Sequence, residues 1–323
     1  MADCPLLDSQ HPNPSLAAAR DAAVACPLTG LAVLAIDGAD AAPFLQGQLS
    51  CDVLAMNPGT CRYGSFNSPK GRMLANFVLW RRTPDGFGML LAADIADAVA
   101  KRLRMYVLRS KATIADVSAD TQRIGIGGPQ AASAVEAAFG IVPAPFEARE
   151  VRSPAAVTLL GLNGNRFVAL AQASAADVLA ALGSRSVTGE FDVWRWLTIR
   201  AGTPVVTAAT QDAFVAQAAN LDVLGGIDFQ KGCYTGQEII ARTHFRGAIK
   251  RRMFHFASSS PPPVPGTRIL VGDQHAGDVV DAAATKEGSE LLAVIALAQQ
   301  DAALELESNR GVALQKLQLP YSV

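Results

Sequence analysis

The chain of 323 residues has little that would tie it to a metal, a membrane or a disulfide framework. It holds five cysteines, Cys4, Cys26, Cys51, Cys61 and Cys233, and no two of them form a CxxC pair. With only four histidines, His11, His244, His255 and His275, no zinc-ligand spacing occurs, so no metal site is expected. Cysteines without framework spacing fit a reducing compartment, and a cytoplasmic location is the expectation. The apolar run Leu291 to Ala298 is far short of the ~20 residues that a membrane helix needs, so no membrane contact is expected. Met1 to Ser15 has neither a basic start nor an apolar stretch and carries Asp3 and Asp8, which argues against a targeting signal. Charge of one sign is also missing: 28 Lys+Arg against 29 Asp+Glu leave a net charge of −1. That excludes a surface that grips nucleic acid everywhere, but not a local basic patch. Gly125-Ile126-Gly127-Gly128-Pro129 does not meet the G-x-G-x-x-G spacing, which excludes a dinucleotide loop there.

What is present is apolar residue, half of the chain, enough for large cores in more than one domain. Leu31 to Ile36 reads as a buried strand and Ala41 to Leu49 as a helix. Tyr63 to Phe66 and Met73 to Trp80 flank the turn formers Asn67-Ser68-Pro69-Lys70-Gly71 and read as a hairpin. Phe87 to Ala92 is a further strand. In Asp94 to Arg109, Ile95, Val99, Leu103 and Tyr106 recur at helical spacing, with acids first and bases last, as the helix dipole favours. A similar order follows: strand Arg123 to Ile126, helix Pro129 to Phe139, hairpin Val157 to Leu162 with Arg166 to Leu170, helix Ala175 to Leu182. Two related α+β units are the reading. After a helix over Phe191 to Arg200, the proline-rich run Pro261 to Gly266 marks a boundary, and the short strands beyond it predict a small all-β domain. The expected divisions are 1–120, 121–250 and 251–323.

The most informative segment is Lys231-Gly232-Cys233-Tyr234-Thr235-Gly236-Gln237-Glu238. Thr235 and Glu238 have capping-box spacing ahead of Ile239 and Ile240, which predicts a helix starting at Thr235. Cys233 then stands just before a helix N-terminus with Lys231 nearby, and both favour a thiolate. The spacing alone equally admits a capped helix beside an incidental cysteine. From Lys231 to Arg252 six basic residues (Lys231, Arg242, Arg246, Lys250, Arg251, Arg252) face one acid, Glu238. Such a strip fits an RNA backbone or the glutamate tail of a folate, but the charge pattern alone favours a solvated face leading into a strand. Trp194 and Trp196, two apart on a helix, face different ways. At most one is expected in the core, and the other could stack on a flat ring.

At KGCYTGQE the chain resembles the YgfZ family, folate-binding proteins related to the T protein of the glycine cleavage system. The resemblance extends to Ala219-Asn220-Leu221, Leu224-Gly225-Gly226-Ile227, Ala241-Arg242 and Phe245-Arg246-Gly247 to Lys250-Arg251. Near the start it includes Gly38-Ala39-Asp40 with Phe44 to Gln48, later Ala201-Gly202 with Pro204, and finally Leu319-Pro320-Tyr321-Ser322. It implies a GcvT-like α+β fold: two α+β (ferredoxin-like) units around a central folate site, plus a C-terminal β-barrel. It implies binding of tetrahydrofolate or a one-carbon derivative, and a role in assembling or repairing iron–sulfur clusters, notably in tRNA-thiolating enzymes. Iron–sulfur client or assembly proteins would be partners, with a tRNA contact through 242–252. Cys233 is the implied essential thiol and Lys231 its basic neighbour. Trp194, Asn220, Tyr234, Gln237, Glu238, Arg246 and Lys250 are the implied cofactor-binding residues. A second tryptophan of the family has no counterpart, because Leu31 takes its place. The rival reading is a true aminomethyltransferase, but its aspartate pair after the hairpin turn is Ala75-Asn76 here, and asparagine cannot take a proton as a carboxylate does.

Overall fold

The computed structural model describes residues 14–152, 156–172 and 174–323; Cys4, His11 and nearly all of the N-terminal segment considered above lie outside them. Three sheets meet around one helix. The first sheet is antiparallel, in the order Cys61–Asn67, Met73–Thr83, Gly86–Ala92, Leu31–Asp37, Thr113–Asp116. Met73 to Trp80 are buried without alternation, because both faces of this strand are covered. Helix Ala93–Val107 packs Ile95, Val99 and Leu103 on the sheet, while Tyr106, expected in the same stripe, is 40% exposed.

The second sheet runs Val187–Thr188, Val24–Pro27, Gln122–Gly127, Arg166–Ala171, Val157–Leu162, Ala148–Val151, antiparallel except for the first pair. Its N-terminal strand thus comes from ahead of the first sheet. One face carries Ile124, Ile126, Leu159 and Phe167 against helices Ala131–Phe139 and Ala175–Leu182. The opposite face carries Val24, Cys26, Leu160 and Val168, part of the large core shared with the first sheet. Alternation along these strands therefore sorts side chains between two cores.

The third sheet has seven antiparallel strands: Asn309–Ala313, Glu305–Leu306, Arg268–Val271, Gln274–Thr285, Gly288–Ala296, Arg251–Ser258, Gln315–Leu317. The apolar-containing run Val312 to Leu317 is broken at Leu314. Ala313 pairs with Glu305 at one end of the sheet, and Gln315 pairs with Ala257 at the other. One intervening residue can join the two ends only if the sheet curls, and it forms a half-barrel around Phe256, Ile269, Leu291 and Ile295.

Helix Phe191–Arg200 lies between the second sheet and the half-barrel. The expectation of one exposed tryptophan fails here: Trp194 and Trp196 are each 4% exposed. The exposed positions of the helix are Asp192 and Arg200, and both rings lie on its packed sides.

Candidate functional site

A cavity of about 350 Å³ opens beside this helix, lined among others by Leu31, Ala92, Phe191, Trp194, Arg195 and Asp281. It shares Leu31, Ala92, Trp194, Thr198 and Val205 with an inner recess of about 60 Å³ that Tyr63, Asn76, Arg166 and Thr203 also line. Trp194 is seated by the second sheet. A Cβ on Gly125 would stand 2.4 Å from the indole, so glycine there leaves the space the ring fills. Arg195 forms ion pairs with Asp281 at 2.6 Å and Asp192 at 3.0 Å. Asn76 uses both ends of its amide on the chain that leaves the tryptophan helix: Nδ2 donates to the Pro204 carbonyl (2.7 Å) and Oδ1 accepts from the Val206 N–H (2.7 Å). It is a buried strut without a free acceptor for a proton.

The KGCYTGQE segment lies against the first sheet. The expected cap is not formed: the helix spans Gln237–Phe245 and its N-cap is Gly236, at φ 81°, with no side-chain cap. The cause is a contact distant in sequence. The Ser68 carbonyl of the hairpin turn stands 2.5 Å from where a Cβ of Gly236 would be, so the segment bends there and the helix starts later. Cys233 is therefore four residues ahead of the first helical residue, and it is exposed. The hydrogen bonds of the Lys231 ammonium go elsewhere. Lys231 is buried, and its ammonium donates to the carbonyls of Gln46 (2.7 Å), Leu49 (2.6 Å) and Cys51 (2.9 Å), with the Tyr234 ring 4.9 Å away. Burial lowers the Lys231 pKa and raises that of the Tyr234 hydroxyl. The lysine ties the motif to the loop 46–51 by satisfying three orphan carbonyls.

The other implied residues are dispersed. Asn220 is fully buried and donates to the Met253 carbonyl at 2.7 Å, fixing the motif-bearing region to the half-barrel. Gln237 opens the motif helix and Glu238 is exposed on it. Neither part of the tryptophan cavity is lined by Cys233, Asn220, Tyr234, Gln237, Glu238, Arg246 or Lys250. The basic strip shrinks as well. Lys231 is buried, Arg251 faces Asp278 at 3.5 Å, and Arg252 holds Asp222 at 2.6 Å. Arg242, Arg246 and Lys250 are exposed, beside an exposed Phe245 and a Phe229–His244 stack with centroids 3.8 Å apart. The residues that sequence reasoning missed are Tyr63, Arg166, Thr198 and Thr203. Only Thr198 carried a signal, standing one helical turn after Trp194.

Fold and site define a GcvT-like protein in which Asn76 is bonded at both ends of its amide and a cysteine is exposed ahead of a helix start. Residues 10–153 match the GCVT N-terminal domain. The chain superposes on the glycine cleavage system aminomethyltransferase T from Bartonella henselae with a TM-score of 0.73, covering 95% of this chain and 88% of that one at 18% identity, a likeness of fold. It is 30% identical over 301 residues to the tRNA-modifying protein YgfZ of Sodalis glossinidius (strain morsitans), covering 90% of this chain and 91% of the relative. It is 33% identical over 302 residues to that of Klebsiella pneumoniae (strain 342), with the same coverage. The chain belongs to the YgfZ family. Among the described residues no helix is long and apolar enough to cross a membrane, and no cluster of three metal-ligating side chains occurs.

Proposed function

We propose that the chain binds tetrahydrofolate or a one-carbon derivative in the cavity at Trp194, and supports assembly or repair of iron–sulfur clusters, including those of tRNA-thiolating enzymes, through the Cys233 thiol. The observation that carries this reading is a contrast between cysteines. Cys26, Cys51 and Cys61 are buried, and burial pushes their pKa values up to about 12, 11 and 12. Cys233 alone among the described cysteines is exposed, on a segment whose neighbour Lys231 is anchored by three hydrogen bonds. A thiol must be reachable to act as nucleophile, sulfur carrier or shared ligand. One cysteine does not supply the four thiolates that a cluster usually takes, so a cluster would be shared or in passage. Leu31 and Trp194 on a common cavity wall fit a flat ring held by one aromatic and one aliphatic side chain.

Replacing Cys233 by Ala should abolish rescue of tRNA thiolation in a deletion strain while leaving folate affinity unchanged. Full rescue by that variant would overturn the role of the thiol. Aminomethyl transfer is disfavoured by the engagement of Asn76 at both ends, and an assay with an aminomethylated lipoyl carrier should show no turnover. The relatives are named tRNA-modifying proteins. A direct RNA contact would use Arg242, Arg246 and Lys250 with Phe245 as a stacking surface, and its affinity would fall with salt and with Arg246→Ala and Lys250→Ala.

A further inference from the structure

Arg166 opens the strand Arg166–Ala171, yet it is 1% exposed. Its bonds all go to neutral oxygens: Nε to the Asn163 carbonyl (3.1 Å), Nη1 to Thr198 Oγ1 (2.9 Å), and Nη2 to Asn163 Oδ1 (2.9 Å), Thr203 Oγ1 (2.8 Å) and Tyr63 Oη (3.3 Å). The Trp194 ring lies 5.5 Å from its guanidinium carbon. Burial depresses its pKa, with Tyr63 acting in the opposite direction and no carboxylate contributing. Two other enclosed guanidinium groups differ, whereas half-buried Arg123 also donates only to carbonyls, those of Ser118 and Thr121. Arg195, on the outer part of the same cavity, faces Asp281, and Arg252 faces Asp222. A guanidinium has five N–H donors and keeps its charge inside proteins. Nη1 carries two of these hydrogens and spends one on Thr198. A buried charge without a counter-charge is costly, and here it lines a recess.

We propose that the inner recess is an oxyanion subsite, in which a carboxylate-sized planar anion binds the uncommitted Nη1–H of Arg166. This rests on reading the cavity as a ligand site, not on its ligand being a folate. A recess of about 60 Å³ admits a small planar group and excludes a fused ring system. The anion has two available sources, a carboxylate carried by the larger ligand and a free small acid.

The test is thermal melting of the full chain in sodium formate, with sodium chloride at equal ionic strength as the control. A ligand that binds only the folded state raises the melting point in proportion to ln(1 + [L]/Kd). Formate should give a saturable rise beyond that of chloride in the wild type and none in Arg166→Met. Arg166→Lys, which keeps the charge without the fork, should need at least about fivefold more formate. A wild-type response equal to that in chloride, or an equal formate response in Arg166→Met, overturns the subsite. Should Arg166→Met not fold, an unchanged formate midpoint in Arg166→Lys does so. Given an Arg166-dependent rise, competition between formate and tetrahydrofolate assigns the anion to the folate itself, and simultaneous binding assigns it to a separate acid. A formate response without any tetrahydrofolate binding would sink the folate reading and leave the subsite standing.

Discussion

Gly125 and Trp194 occupy one volume between them: the second sheet omits a side chain at 125, and the indole from the facing helix fills the gap, 2.4 Å from where a Cβ would stand. That pairing holds the ring on the cavity wall. Gly125→Ala should force the indole outward and destabilise the fold by about 1–3 kcal/mol, the usual cost of overpacking. Urea unfolding with tryptophan emission checks both, and an unchanged midpoint and spectrum would refute the seating.

Asn76→Asp supplies the carboxylate that the aminomethyltransferase reading would need, and should damage the protein instead of converting it. The Nδ2 donor to Pro204 is lost and a charge is set against that carbonyl, at a cost of at least about 2 kcal/mol near neutral pH. Burial raises the folded-state pKa of such a carboxyl above its unfolded value. Folded protein then binds more protons than unfolded over that interval, so stability falls as pH rises through it. The deficit relative to wild type should therefore shrink as pH falls through this interval and be smallest at about pH 4 and below. A pH-independent deficit, or gain of aminomethyl transfer, would contradict the assignment of Asn76 as a strut.

Thiol labelling separates the cysteines. In a Cys4→Ser background, native protein should react quickly with a thiol reagent at one site, Cys233. Cys26, Cys51 and Cys61 should react only on unfolding, being buried with raised pKa values. Cys233→Ala should change stability by less than about 0.5 kcal/mol, as expected of a surface site. Fast labelling at Cys51 in the native state would contradict the anchoring of its loop by Lys231.

Glu290 makes the half-barrel contact with the tryptophan helix acid-sensitive. Burial alone would raise its pKa, but the bond and charge of His255 at 2.9 Å, together with Arg200, outweigh this and hold it below the ordinary glutamate value. A depressed carboxylate adds stability above its unfolded pKa of about 4.3, and that stability is lost as pH falls through the folded value. Wild type should therefore exceed Glu290→Gln in melting temperature at pH 6, with the gap closing in acid. A constant gap would refute the linkage.

Much of the architecture was legible because burial periodicity marks it directly. The strand Leu31–Asp37, the hairpin Met73–Thr83 with its partner, and helices Ala93–Val107 and Phe191–Arg200 all announce themselves by spacing. The family resemblance located the cavity tryptophan and the exposed thiol. What stayed hidden depends on contacts between distant segments. Gly236 replaces Thr235 at the helix start because Ser68 arrives from a hairpin more than 160 residues earlier. Lys231 looked like a partner for Cys233 because the two are near in sequence, yet the carbonyls it binds belong to residues 46–51. Arg166 gave no signal, since its burial is set largely by Tyr63, Thr198 and Thr203 from separate parts of the chain.

Folate binding at the cavity is tested most directly by a tetrahydrofolate titration followed by tryptophan fluorescence, in wild type and Trp194→Ala. Wild type should show a saturable change and the variant an affinity at least about tenfold weaker, the loss of about 1.4 kcal/mol or more from a ring contact. No saturable change in wild type, or equal affinity in a folded Trp194→Ala, would contradict folate binding there.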